Sequence, residues 1–301
     1  MVSKTSLTEE LSLSQLVYGF WRAAEWSYST AESTELVRYC IDLGITTFDH
    51  ADIYGDYTCE GIFGRVLNAE PSIRDQIEIV TKCGIKLISP NRPDHTTMSY
   101  DTSFEHIVSS AENSLKELAT DHIDLLLIHR PDPFVNPAEV AKAFDQLKVQ
   151  GKVLNFGVSN FTVQQYKTLA SYVTMPLVTN QIEISVGCTD AFANGNLDFC
   201  QEQRMHPMAW SPLGGGSIFT SQEPKEKRLR AKLEEVAGEI GAETIDQVSL
   251  AWLLAHPVGI LPVLGTGKPD RIARSAEAAK LKITRNQWFD ILQTSWGHDV
   301  P

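Results

Sequence analysis

The sequence lacks the marks of several protein classes. Its five cysteines, at 40, 59, 83, 188 and 200, form no CxxC pair and no zinc-ligand spacing. They read as free thiols of a reducing compartment, not as a disulfide framework or a metal knuckle. No uninterrupted apolar run approaches the roughly 18 residues of a membrane-spanning helix. The opening, MVSKTSLTEELSLSQL, has no apolar core of the kind secretory leaders carry. Basic residues are scarce: 26 Lys and Arg stand against 38 Asp and Glu, a formal net charge of −12. That balance argues against tracking a nucleic-acid backbone, although a few local cations can still build a pocket for a small anion. The expectation is a cytoplasmic protein with no membrane, nucleic-acid or obligate protein partner. A GxGxxG run after the first strand, the mark of a doubly wound dinucleotide fold, is also missing. No polar linker divides the 301 residues, so one domain is expected.

What is present is one repeated unit. At 43% hydrophobic, the composition suffices for a sizeable core. Short aliphatic runs near 16–21, 46–51, 77–83, 123–129, 153–160, 177–185, 206–210 and 259–266 read as strands. Amphipathic stretches at 31–43, 104–118, 137–149, 163–171, 197–203, 225–239 and 244–255 fit between them, and 268–279 and 284–293 follow the last strand. Gly44 suits the residue just past the first helix, and Asn136 with Pro137 suits a helix start. The run DLLLI at 124–128 is apolar on consecutive positions, as in a parallel strand covered on both faces. Eight such alternations predict a closed (β/α)8 TIM barrel with extra C-terminal helices; a doubly wound open sheet is the alternative. The polar stretch 85–103 and the Gly-containing stretch 213–223 would then be loops of the active face.

Four polar residues recur where such loops begin. Asp49 ends the second strand and Tyr54 follows it; Lys82 nears the end of the third; His129 ends the fourth. Each alone has an ordinary reading: a turn cap, a surface aromatic, a snorkelling lysine, a structural histidine. An ionisable group closing an apolar strand is costly unless paired, and three neighbouring strands doing so predicts that the groups meet. A phenol keeps its proton at neutral pH, a nearby ammonium stabilises its phenolate, a carboxylate holds the ammonium charged, and a neutral imidazole can hold a substrate oxygen. Such a cluster can protonate a carbonyl oxygen as charge develops there. No side chain donates hydride, so a nicotinamide cofactor is expected. Paired carboxylates for a barrel hydrolase, or a histidine ligand set for a metal, are not evident among the eight histidines. His50 adjoins Asp49 but should face the other way, and His206 suits packing.

Places for a nucleotide follow in order. Ser159 and Asn160 end strand five and Gln181 lies in strand six, with donors and acceptors that suit a carboxamide. Trp210 could stack on a flat ring. Ser211 and the glycines at 214–216 would let backbone amides approach a pyrophosphate. After the last strand, a small-residue turn leads through Lys268 into a helix, a plausible anion site that Arg274 could join.

With these residues in view, the chain resembles an aldo-keto reductase over roughly 11–293. The resemblance rests on GITTFDHADIYG (44–55), IVTKCG (79–84), DLLLIHRPDP (124–133), GKVLNFGVSNF (151–161), TNQIEIS (179–185), MAWSPLGGG (208–216) and LPVLGTGKPDRI (261–272). The stretch 85–103 and AWSPLGGG most resemble the bacterial oxidoreductase subgroup labelled YdhF-like. The resemblance implies a (β/α)8 barrel that reduces aldehydes or ketones without a metal, using NADPH in preference to NADH. It implies Tyr54 as proton donor, Asp49 and Lys82 as its support, and His129 as the substrate-orienting residue. Ser159, Asn160 and Gln181 would bind the carboxamide, and Trp210 would stand where tyrosine is commoner. Ser211, Leu213, Gly215, Gly265, Thr266 and Gly267 would line the cofactor. Lys268 and Arg274 would meet a 2′-phosphate and Glu277 the adenine. Ala278 and Pro269 depart from the family's asparagine and its serine or threonine at those positions. An N-terminal hairpin before residue 16 would close the barrel floor. Trp21, Arg22, Phe134 and Trp296 are candidate substrate contacts. A catalytically weak nucleotide-binding accessory barrel is the alternative function.

Overall fold

Aliphatic residues at alternate positions of short extended segments can share one interior, and here eight segments do so. The computed structural model describes all 301 residues. Parallel strands Val17–Gly19, Thr47–Asp49, Glu78–Cys83, Leu125–Ile128, Phe156–Ser159, Leu177–Glu183, Met208–Trp210 and Leu261–Leu264 close into a barrel in sequence order. The last strand pairs with the first, Val263 opposite Val17. Every expected strand is present, each shorter than its apolar run, and the closed barrel replaces the open-sheet alternative. Val17, Val80, Leu125, Leu127, Val178, Met208, Leu261 and Val263 fill the interior as one buried cluster. In-register pairs such as Val80 with Leu125 and Met208 with Leu261 place these side chains in layers.

The floor is sealed by the hairpin of Lys4–Ser6 with Ser12–Ser14. Its Leu11 and Leu13 join the interior cluster, and the Ser14 amide donates to Thr47 Oγ1 at 2.8 Å. Outward-facing strand residues pack under the helices in two larger clusters, one around Phe20, Phe48 and Phe63, the other around Phe144, Phe156 and Trp252. No helix is long and apolar enough to cross a membrane.

Local chemistry sets the helix ends. Ser29 and Glu32 form a reciprocal capping box at the start of helix Thr30–Asp42, and Gly44 at φ 86° follows its end. Asn136 accepts from the Ala138 amide ahead of Pro137. Near the C-terminus, Trp252 and Trp288 stack with centroids 4.9 Å apart, and each indole N–H donates to the other's backbone carbonyl. This fastens helix Arg285–Trp296 to helix Ile245–Leu254.

The one helix of more than two turns with no expectation in the sequence is Cys59–Ala69. Gly61 and Gly64 weaken its helical pattern. Gly64 is there for contact: a Cβ at that position would overlap the Glu117 carbonyl at the end of helix Phe104–Glu117. The polar stretch 85–103, which follows the third strand, contains a two-residue antiparallel pair, Ile85–Lys86 with Ser99–Tyr100.

Candidate active site

The period of two that fills the barrel also raises the polar residues to its rim. Lys82 lies two residues above Val80, His129 two above Leu127, and Trp210 two above Met208. Ser159 and Gln181 are in register with each other, as are Asp49 and Val80. These side chains therefore share the interior axis, at the strands' C-terminal ends.

There the four leading candidates meet. Lys82 is wholly buried, and its ammonium donates to both carboxylate oxygens of Asp49 at 2.8 and 2.7 Å, to the His50 carbonyl at 2.7 Å and to the Tyr54 hydroxyl at 3.1 Å. Gln181 Nε2 donates to Asp49 Oδ1 at 2.8 Å from the facing strand. The Tyr54 and His129 rings meet edge to face with centroids 5.8 Å apart. An isolated buried ammonium would cost several kcal/mol; four oxygens on one nitrogen offset that cost. Burial pushes the Lys82 pKa down, but Asp49 and Tyr54 push it further up, so the net direction is upward and the site keeps its cation. Burial, reinforced by Lys82 and Arg130, pushes the His129 imidazole well below its ordinary value, so it is neutral at pH 7. Its Nδ1 is buried without a hydrogen-bond partner.

At Tyr54 the neighbouring ammonium acts in the expected direction but is not the largest influence. Lys82 does pull its pKa down, but burial of the hydroxyl pulls harder, and the net direction is upward. The phenol therefore holds its proton at neutral pH. His50 faces outward, as expected, against Phe20 and Phe63 at 4.9 and 4.6 Å between centroids. Burial, helped by Lys82, lowers its pKa to about 3. His206 is a packing residue whose Nδ1 lies 2.9 Å from the Val258 carbonyl oxygen.

The neighbouring polar residues form one network. Asn160 Nδ2 donates to the His129 carbonyl at 3.2 Å and to Ser159 Oγ at 2.8 Å, while its Oδ1 accepts from the Trp210 indole at 2.8 Å. Ser159 Oγ donates to the Gln181 carbonyl at 2.8 Å. Asn160 and Ser211 both sit at positive φ, 63° and 48°, conformations that ordinary residues keep only where their surroundings enforce them. Leu213 is half-buried between the two outer clusters, and beside it a Cβ at Gly215 or Gly216 would have open space.

The turn after the last strand is held from the other end of the chain. Tyr18 donates to the Thr266 carbonyl at 2.7 Å and Tyr28 to that of Gly267 at 2.9 Å. The Trp26 ring lies so close over Gly267 that a Cβ there would come within 2.8 Å. Gly265 is exposed with open space around it, and Lys268 is exposed at the start of helix Pro269–Ala278. On that helix Arg274 Nε is buried without a partner, a donor that an anion would satisfy. The residues present thus fit a bound nucleotide, with donors at one end and polar amides beside Trp210 at the other. Glu277 instead reaches Lys280, at 2.6 Å, in an exposed pair.

The candidate substrate residues are less gathered. Trp21 is 55% exposed with the Arg22 guanidinium 5.1 Å from its ring centroid, and Phe134 is 95% exposed. The Trp296 indole donates to Thr189 Oγ1 in the loop after strand six. Sequence reading passed over Arg130, although it directly follows His129. Its guanidinium stands 5.6 Å from the Trp210 ring centroid, and its charge is felt at Tyr54, His129 and Glu183.

A family profile described as the aldo/keto reductase family matches residues 15–294. The chain is 52% identical over 300 residues to an uncharacterized oxidoreductase, YcsN, of Bacillus subtilis, covering 100% of both chains. It is 46% identical to the oxidoreductase YdhF of Escherichia coli, covering 96% of this chain and 95% of that one. It is 44% identical to a 6-dehydroglucose reductase of Agrobacterium fabrum, covering 99% and 100%. Among solved structures, the thermostable aldo-keto reductase Tm1743 superposes with a TM-score of 0.82 at 27% identity, covering 97% of this chain and 99% of that one.

Proposed function

The chain belongs to the aldo/keto reductase family, and from that premise we propose that it is an NADPH-dependent carbonyl reductase acting as a single barrel domain, with Tyr54 as the proton donor. The observation that carries this reading is Lys82, a buried ammonium bound at once to the Asp49 carboxylate and the Tyr54 phenol. Bound NADPH would supply hydride to the substrate's carbonyl carbon. Charge then grows on the carbonyl oxygen, and Tyr54 gives it the hydroxyl proton. Lys82 stabilises the phenolate left behind, and Asp49 with Gln181 keeps Lys82 in place. His129, neutral at pH 7, holds the carbonyl oxygen by a hydrogen bond.

The nucleotide would lie between Trp210 and the turn at 265–268. Ser159, Asn160 and Gln181 would hold its carboxamide, Asn160 exchanging its present partners to do so. Ser211, Leu213, Gly215, Gly265, Thr266 and Gly267 would border it, and Lys268 and Arg274 would meet the 2′-phosphate that distinguishes NADPH from NADH. Glu277 would reach the adenine by leaving Lys280. A YdhF-like place within the family is part of this reading, and the 46% identity to YdhF supports it. Arg130 joins Trp21, Arg22, Phe134 and Trp296 as a residue of the substrate mouth.

The test follows NADPH oxidation over a panel of aldehydes and ketones that includes 6-dehydroglucose, the compound in the name of the Agrobacterium fabrum relative. Tyr54→Phe should lose about 10²–10⁴-fold in kcat, the range that a positioned general acid supplies. Full activity in that variant refutes the role of Tyr54, and equal turnover with NADH refutes the cofactor preference. Tight NADPH binding with no turnover on any carbonyl would favour the accessory reading.

A further inference from the structure

Tyr54 is followed by a turn that needs outside support. Gly55, Asp56 and Tyr57 are consecutive left-handed residues, at φ 55°, 59° and 67°. Glycine takes this conformation freely and aspartate occasionally, as a single residue; Tyr57, and a run of three, need enforcement. The turn also has no slack on its inner side, where a Cβ on Gly55 would come within 2.5 Å of Cys59 Sγ and 2.9 Å of Ala24 Cβ.

Support comes from the polar stretch after the third strand. The Leu87 amide donates to the Tyr57 hydroxyl at 2.8 Å. The Arg92 guanidinium lies 4.6 Å from the centroid of the Tyr57 ring, and His95 Nδ1 stands 3.4 Å from its hydroxyl. Asn91 Nδ2 donates to the Asp56 carbonyl at 2.8 Å. These contacts reach the two non-glycine residues of the turn. The phenol of Tyr54, in contrast, has one hydrogen bond to the protein, from Lys82.

We propose that Tyr57, gripped by residues 87–95, is a positioning residue for the proton donor: the clasp holds the left-handed turn that delivers the Tyr54 phenol to Lys82. The inference rests on the reading of Tyr54 as donor and gives the stretch 85–103, expected as a loop of the active face, a role in holding the donor. Without the clasp, Asp56 and Tyr57 relax toward right-handed or extended backbone, and the chain leaves Tyr54 in a different direction. A displacement of the phenol by about 1 Å costs on the order of 10²-fold in rate.

The test compares the full-length protein with Tyr57→Ala, with the double variant Asn91→Ala/Arg92→Ala, and with Arg92→Lys, which keeps a cation over the ring. Tyr57→Ala should lower kcat by about tenfold or more, within the 100-fold expected of a misplaced reacting group. NADPH affinity and the unfolding midpoint should stay near wild type, the Leu87 amide should lose protection from hydrogen exchange, and Arg92→Lys should retain most of the rate that the double variant loses. Unchanged kcat, or a loss carried by KM alone, overturns the proposal. If Tyr57→Ala does not fold, the double variant decides, because it alters only exposed or half-exposed side chains. A wild type inactive on every carbonyl overturns the proposed reaction instead. The clasp is then judged by the Tyr54 ionisation midpoint, read as an ultraviolet difference against Tyr54→Phe. That midpoint should shift when the phenol leaves Lys82 and its buried position, and an unmoved midpoint overturns the clasp.

Discussion

Replacing Glu60 by glutamine removes a titration that the fold has displaced. Glu60 is buried behind the third strand, where Thr81 Oγ1 donates to its Oε1 at 2.6 Å. Burial pushes its pKa from about 4.5 up to about 7, although hydrogen bonds from Thr81 and Ser114 pull the other way and Glu117 adds to the rise. A folded pKa above the unfolded one means that the folded chain binds the proton more tightly. The resulting stabilisation is complete below about pH 4.5 and is lost as pH rises through about 7. The displacement, about 2.5 pH units, corresponds to about 3 kcal/mol. Glutamine keeps the acceptor for Thr81 and cannot ionise. Urea unfolding from pH 4.5 to 8 should therefore show wild type losing about 3 kcal/mol relative to Glu60→Gln. Asp52, buried beside Glu60 and pushed well up by burial and then by Glu60, titrates in both proteins, and the difference between the curves includes the part of its shift that Glu60 causes. Curves that run parallel within about 1 kcal/mol would refute the displaced titration.

Three further substitutions probe packing and the nucleotide end. Gly64→Ala forces a methyl into the Glu117 carbonyl and should destabilise by about 1–3 kcal/mol, read as a lower urea midpoint; an unchanged midpoint would mean that the two helices part freely. Lys268→Ala and Arg274→Ala should each weaken NADPH binding by about tenfold or more, the worth of a hydrogen bond to a charged group, and leave NADH nearly untouched. Equal weakening of both nucleotides, by fluorescence titration, would refute a 2′-phosphate contact.

The rim of the barrel was legible because one physical signal, period-two burial, runs from the core into the site. Val80 announces where Lys82 points, and Leu127 does the same for His129. Helix Cys59–Ala69 was not legible, because Gly61 and Gly64 serve a close helix crossing and thereby dilute the helical pattern. The clasp was invisible for a different reason. Tyr57, Asn91 and Arg92 carry no local pattern, and their contact exists only once the stretch after strand three folds back over strand two. Arg130 stood in plain view beside His129, but its place at Trp210 depends on strands four and seven facing each other across the barrel. The direction of the Tyr54 pKa also required the fold, since proximity to Lys82 can be inferred from sequence and depth of burial cannot.

The interlock of Tyr18, Trp26 and Tyr28 with the turn at Thr266 and Gly267 has a consequence for biogenesis. The two halves of that contact lie 239 and 248 residues apart for its hydrogen bonds. The turn proposed to seat the nucleotide's phosphate is therefore shaped by the first barrel strand and the loop after it as well as by the last strand. That seat has its shape only when the eighth strand is docked against the first, so nucleotide binding there would report that the barrel has closed.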